Sequence, residues 1–219
     1  MAMTEETPKE ELRADTRGML RVHAMFRREF LLFPGLIAGV SPGDRERTDA
    51  VADHILFMCN ILHAHHTLED EFLWPKLKSR VPEVEVGIPL LMENQHADMA
   101  QIIDLLNEQL HTWRDSAGTR HGQALLQTTE RLIPVLLEHM SEEESCALPA
   151  VEKHVTAEEW QRMAEAGRAH VSNEEFALVV GMMTYAGLDG AAQIPSSEFE
   201  RESLRAFISY TERLHGSAA

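Results

Sequence analysis

The stretch His65–Leu77, HHTLEDEFLWPKL, returns in outline as His139–Val151, HMSEEESCALPAV. In each copy a Glu stands four residues after the His and a Pro six residues after the Glu, and the copies are offset by 74 residues. A spacing of four puts His and Glu on one face of a helix, one turn apart. The Pro marks where that helix bends or stops. The fold then depends on whether that face is turned to solvent or to a core.

Steps of three and four place both pairs on apolar seams. The first seam runs Val51, Ile55, Met58, Leu62, His65, Glu69, then Phe72 or Leu73; the second runs Leu125, Thr129, Leu132, Leu136, His139, Glu143, Ala147. Two further seams carry one His each: Leu12, Thr16, Met19, His23, Phe26, Phe30, and Met92, His96, Met99, Ile103, Leu106, Leu110. These two match at an offset of 73 residues, with Met19/Met92, His23/His96 and Ala24/Ala97 in step. The pattern predicts a duplicated helical hairpin, each half contributing a His from its first helix and a His plus a Glu from its second.

A lone HxxxE on a helix is commonly a surface or capping pair, and a lone core His is commonly just hydrogen bonded. Two such pairs and two further His on the seams of one repeat point instead to a metal centre, because a bare carboxylate on an apolar seam costs several kcal/mol unless paired or bound to a cation. Imidazole and carboxylate suit iron, manganese or zinc. Six donors, His23, His65, Glu69, His96, His139 and Glu143, exceed one tetrahedral zinc and match two six-coordinate metals with the Glu oxygens bridging. His66, with Asp70 four residues on, is a candidate to support the ligands from behind. His54, His63, His111, His121, His154, His170 and His215 read mostly as solvated, the seam methionines as core filler, and the Tyr and Trp residues as core or interface.

The rest of the chain reads as helix punctuated by stop signals, without sustained alternation, so the class is all-α. The first helix opens at TPKE, with Thr7, Pro8 and Glu10 forming its cap, and ends near Phe33–Gly35. The second opens at Ser41–Pro42 and reaches about Arg80, bent or ended near Pro75; the third runs from GIPLLM to about Ser116; the fourth spans about Arg120–Val151 with a kink or bulge expected at Pro134. Shorter helices follow Thr156, Ser172 and Ser197, with the loop AGLDGAAQIPS before the last. Long helices joined by short loops predict an up-down antiparallel four-helix bundle over residues 1–155, with residues 156–219 a C-terminal helical extension packed on it.

A net charge of −16 argues against nucleic acid or an anionic membrane as partner. Two cysteines, Cys59 and Cys146, make no disulfide framework, and the acidic, polar start MAMTEETPKEELRADTRG is neither a secretory signal nor a basic transit peptide; the expectation is a soluble cytoplasmic protein. There is no Ser/His/Asp triad signature and no Gly-rich phosphate loop.

At His23, the HHTLED of His65 and Glu69, the ENQH of His96 and the HMSEE of His139 and Glu143, the chain resembles the hemerythrin-like family, also called the HHE cation-binding domain, over about residues 12–153. The resemblance implies two non-haem iron ions, oxo- or hydroxo-bridged, that meet dioxygen, hydrogen peroxide or nitric oxide. It also exposes a departure. Oxygen-carrying hemerythrins have a second third-helix His where this chain has Ala100, and a carboxylate five residues after the fourth-helix His rather than four. The pattern is similar to members that sense iron or oxygen or decompose peroxide, a catalase-like activity, unless Glu93 or a tail Tyr completes the site. The competing expectations are a sensor or store that signals to a partner or a second copy through the C-terminal helices, and a structural polar network without metal.

Overall fold

The computed structural model describes residues 12–187 and 195–215. The proposed cap at Thr7, Pro8 and Glu10 and most of the AGLDGAAQIPS loop lie outside the described residues. The first helix, α1, spans Arg17–Ala38, later at both ends than the sequence predicts. Residues 12–15 are instead non-helical: Ala14 N–H donates to the Val155 carbonyl at 3.1 Å, and Ala157 N–H donates to the Leu12 carbonyl at 2.8 Å. That pairing takes Leu12 off the seam and leaves it 80 % exposed. At the far end Pro34 does not stop α1. It forfeits one backbone hydrogen bond, and burial of Phe33, Leu36 and Ile37 carries the helix on.

Helix α2 spans Arg45–Phe72, capped by the Asp44 carboxylate, which accepts from Arg47 N–H at 3.0 Å. Ser41 and Pro42 precede it in a turn where Gly43 takes a φ of 83°, so the helix starts three residues later than the Ser-Pro signal implies. Pro75 acts as expected: α2 ends and α3, Trp74–Arg80, starts with Pro75 in its first turn. Helix α4 is Gly87–Ser116 and α5 is Thr119–Glu142. Helix α5 runs unbroken through Pro134, whose ring lies on the exposed face, where the helix can open toward water. The irregularity falls later, as a wide π turn at Glu143–Ala147 that leads into α6, Leu148–His154, and absorbs Pro149.

Helices α1, α2, α4 and α5 form the antiparallel bundle, with α1 against α2 and α5, and α4 against α2 and α5. Its apolar interior is in two parts. One cluster includes Phe26, Phe30, Phe33, Ile55, Leu62, Met99 and Leu136; the other includes Met19, Trp74, Leu77, Met92, Leu148 and Val151. Each predicted His lies in its helix between residues of the two clusters, so a polar belt separates them.

Helices α7 (Ala157–Ala169) and α8 (Asn173–Ala186) each start with a capping box, from Thr156 and Ser172. Helix α9 spans Glu198–His215; Ser197 caps the Glu200 N–H, while the Glu200 carboxylate turns to Ser196. Helix α7 lies along α2, α8 along α1, and α9 against α8 and α2. The α8–α9 approach needs Gly181, since a Cβ there would lie 2.2 Å from the Ser203 carbonyl oxygen and 2.8 Å from Phe207 Cβ. No helix among the described residues is long and apolar enough to cross a membrane. Both cysteines are free.

Candidate metal centre

All six predicted donors meet in the belt between the two apolar clusters. His23 comes from α1, His65 and Glu69 from α2, His96 from α4, His139 from the last turn of α5 and Glu143 from the π turn. His23, Glu69, His139 and Glu143 have no exposure, His96 is 4 % exposed, and His65 is partly covered. Their facing atoms are close: His23 Nε2 to Glu143 Oε2 3.2 Å, His65 Nε2 to Glu69 Oε1 3.1 Å, His96 Nε2 to Glu69 Oε2 3.5 Å and His139 Nε2 to Glu143 Oε2 3.7 Å. None of these contacts is aligned as a hydrogen bond, and all four Nε2 atoms and all four carboxylate oxygens are buried without a hydrogen-bond partner. A folded protein rarely leaves so many polar atoms unpaired in one place.

The outer edges of the rings are held. His23 Nδ1–H donates to Glu144 Oε1 at 2.8 Å, and Arg27 donates to the same oxygen at 2.6 Å. His96 Nδ1–H donates to Asp70 Oδ1 at 2.8 Å. His139 Nδ1–H donates to Gln95 Oε1 at 3.0 Å, and the Gln95 amide in turn donates to Glu142. A carboxylate can only accept, so the hydrogen sits on Nδ1 and the Nε2 lone pair of a neutral ring points inward. Acceptors behind a ring in this way fix the tautomer and orientation that metal ligation uses.

Asp70 and Glu144 were not singled out as a pair from the sequence. The signal was present, because each follows a seam Glu by one residue at the same 74-residue offset. Asp70 serves His96 rather than His66, which corrects the expected Asp70–His66 pairing. His66 is not behind the ligands: it is 6 % exposed, its ring stacks on His96 at 4.1 Å, and its Nε2 is buried without a partner. Glu93 is turned outward to Lys78 at 2.5 Å. Tyr210 bonds His54 Nδ1 at 3.0 Å, and Tyr185 packs under Arg28, so these tyrosines are engaged elsewhere. His54, expected to be solvated, is fully buried between Tyr210 and Glu29.

Electrostatics without a cation shows the strain of the arrangement. Burial opposes charge on His23, but Glu143 and Glu144 outweigh it and raise His23 to about 9. Burial opposes the Glu143 carboxylate as well, and His23, ahead of the other rings, outweighs it and holds Glu143 down to about 2. Glu69 lacks such a partner; burial and then the Glu143 charge push it well above the carboxylate range. Burial holds His65 down to about 3 and His139 to about 4, and keeps His66 well below its ordinary value. The neutral imidazoles are ligand-ready, and a cation would let both carboxylates ionise.

Ring nitrogens and carboxylate oxygens fall into groups whose atoms lie within 4.8 Å of one another: His23, His65 and Glu143; Glu69, His139 and Glu143; His66, His96 and His139. Glu143 and His139 are each shared by two groups. The donor set fits hard-to-borderline metals. A crevice of about 150 Å³ between α2 and α4, lined by His66, Asp70, His96 and Ala100 among others, abuts the cluster at His66 and His96.

Among known proteins, the family profile of the hemerythrin HHE cation binding domain matches residues 14–151, a span that contains all six donors. No curated protein and no solved structure matches the chain.

Proposed function

The chain belongs to the hemerythrin HHE cation-binding family, and on that premise we propose that it is a non-haem di-iron protein that reacts with hydrogen peroxide, dioxygen or nitric oxide. The observation that carries the reading is the convergence of four unpartnered Nε2 atoms and two unpartnered carboxylates in one dry belt. His23, His65, His96 and His139 would be terminal ligands, and Glu69 and Glu143 would reach both ions. Bound iron supplies Lewis acidity and reversible electron transfer.

The protein's own part is orientation and exclusion. Glu144, Asp70 and Gln95 hold three rings by their Nδ1–H groups, and the two apolar clusters keep bulk water from the belt. The crevice of about 150 Å³ is below the usual range for organic ligands, about 300 Å³ and up. It holds a few molecules of about 30 Å³ each, which fits small oxidants.

Metal analysis and a visible spectrum of aerobically purified protein test the assignment. About two irons per chain and an iron-dependent near-ultraviolet band are expected; protein that takes up no transition metal overturns it. Catalytic release of oxygen from hydrogen peroxide supports an enzyme. A second reading is a sensor or store that signals through the C-terminal helices. It is favoured by the run of buried Glu29 and His54 and half-buried Tyr210, which ties α9 to the helices carrying His23, His65 and Glu69. Iron loading without turnover, accompanied by altered protection of α9 in hydrogen exchange, selects that reading.

A further inference from the structure

We propose that His66 is an additional imidazole ligand of the metal centre, on the ion held by His96 and His139. The inference rests on the di-iron reading above and adds a donor that the sequence repeat does not contain.

Three observations converge on it. The His66 ring is 6 % exposed, and its Nε2 is buried without any hydrogen-bond partner, as are the Nε2 atoms of His23, His65, His96 and His139. Its ring lies nearly parallel to His96, 12° apart in plane and 4.1 Å between centroids, and 5.1 Å from His139. The three residues each offer a ring nitrogen within 4.8 Å of the others, a three-imidazole cluster in its own right.

The internal repeat supplies a comparison within the molecule. An offset of 74 residues takes His65 to His139, Glu69 to Glu143 and Asp70 to Glu144, but it takes His66 to Met140. Met140 is 1 % exposed and packs in the apolar core. An apolar side chain therefore suffices to fill this position in one half of the bundle. In the other half an imidazole stands there with its nitrogen unpaired, which burial alone disfavours. Nor does any protein acceptor explain it: Asp70, one turn along α2, is taken by His96. Ala100 presents only a methyl group to the same crevice, so no larger α4 side chain at that position covers the ring.

A second role follows from the location. His66 borders both the cluster and the crevice, so a ligand there sets how much room a small oxidant finds beside the ion. The centre becomes asymmetric, with three imidazoles near one ion and two near the other.

The test compares wild type with His66→Met, which installs the residue of the other half. Iron is loaded into both, and its removal by an excess of a strong chelator is followed optically. The expected result is that one of two irons leaves His66→Met at least ten-fold faster than wild type, while the metal-free variant melts no lower than metal-free wild type. In His66→Met, a second change Ala100→His places an imidazole beside the same crevice and is expected to restore at least part of the retention. Equal release kinetics and equal spectra in wild type and His66→Met overturn the proposal and leave the di-iron reading intact. Wild type that binds no metal removes the di-iron reading itself. Should His66→Met fail to fold, wild type labelled with ¹⁵N-histidine and loaded with cobalt(II) decides: five hyperfine-shifted imidazoles are expected, and four overturn the proposal.

Discussion

Removing Glu144 should weaken metal binding although Glu144 is not itself one of the converging donors. Its Oε1 accepts from His23 Nδ1–H at 2.8 Å, and Arg27 donates to the same oxygen at 2.6 Å. Glu144→Ala deletes the acceptor that keeps the hydrogen on Nδ1 and Nε2 turned inward. Loss of such a partner costs about 10- to 100-fold in metal affinity, which is about 1.4 to 2.7 kcal/mol. Asp70 does the same for His96 at 2.8 Å, but it is 41 % exposed against 25 % for Glu144. Water can replace the Asp70 acceptor more readily, so Asp70→Ala should fall toward the lower end of that range and Glu144→Ala toward the upper.

Competition titration against a chelator of known affinity reads both numbers, with melting of the metal-free proteins as a control. Glu144→Gln retains a carbonyl acceptor and should recover part of the loss. The charge on Glu144 is a secondary contributor to the raised His23 value, behind Glu143, so orientation rather than charge carries most of the effect. Unchanged affinity in both alanine variants would refute the reasoning. A loss as large in Glu144→Gln as in Glu144→Ala would show that charge, not orientation, is what Glu144 supplies.

Four other outcomes are expected. His65→Ala and Glu143→Ala should each lower iron content, while His121→Ala, whose ring bonds Ser116 away from the belt, should not; elemental analysis decides. Metal-free protein should melt below the iron-loaded form, because a ligand bound only by the native state stabilises it, and equal melting temperatures would contradict this. The metal-free protein should also lose stability on acidification from about pH 6.5 to 4.5. His65, His66 and His139 have folded values below the unfolded one, so the unfolded chain takes up protons there that the folded chain refuses. Glu69, raised, opposes them and His23, also raised, acts mainly above the unfolded value, so the net direction is a loss of stability toward acid, readable by urea unfolding at pH 6.5 and 5. Gly181→Ala should destabilise the protein by several kcal/mol, about the 1–3 of an overpacked core or more, since its Cβ would meet backbone at 2.2 Å; unaltered proteolysis of α9 in that variant would show that α9 is not held by this contact.

The parts of this molecule legible in the sequence are those where helical geometry leaves no choice. A His and a Glu four apart on an apolar seam share a face whatever surrounds them, so the six donors could be named before any packing was known. Helix ends were less legible, because caps compete with tertiary contacts. The Thr-Pro signal at residues 7–8 and the Phe-Pro-Gly at 33–35 are strong locally, yet residues 12–15 pair with the α6–α7 corner and burial of Leu36 and Ile37 draws α1 past Pro34. Likewise two prolines of α5 and its continuation carry equal local weight. Both prolines are exposed, so burial does not separate Pro134, which α5 runs through, from Pro149, which falls in the first turn of α6 after the π turn.

His66 shows a different kind of limit. Adjacent residues on a helix point about 100° apart, so a seam drawn through His65 assigns His66 to a flank, and a flank in a single amphipathic helix is half solvated. In this bundle α2 has neighbours on both sides of its seam. His65 turns toward α1, with its ring 5.6 Å from His23, and His66 turns toward α4, stacked on His96. Both flanks are interior, and the width of the buried face is a property of the four helices together. The same geometry explains why the outer acceptors follow the seam Glu residues by one position: Asp70 and Glu144 lie on the corresponding flank one turn further along, close enough to reach the back of a ring from a neighbouring helix, His96 on α4 and His23 on α1. A His at the first flank position and an acid at the next turn are thus two uses of one stripe, and the repeat keeps the acid in both halves while only the first half has the ring.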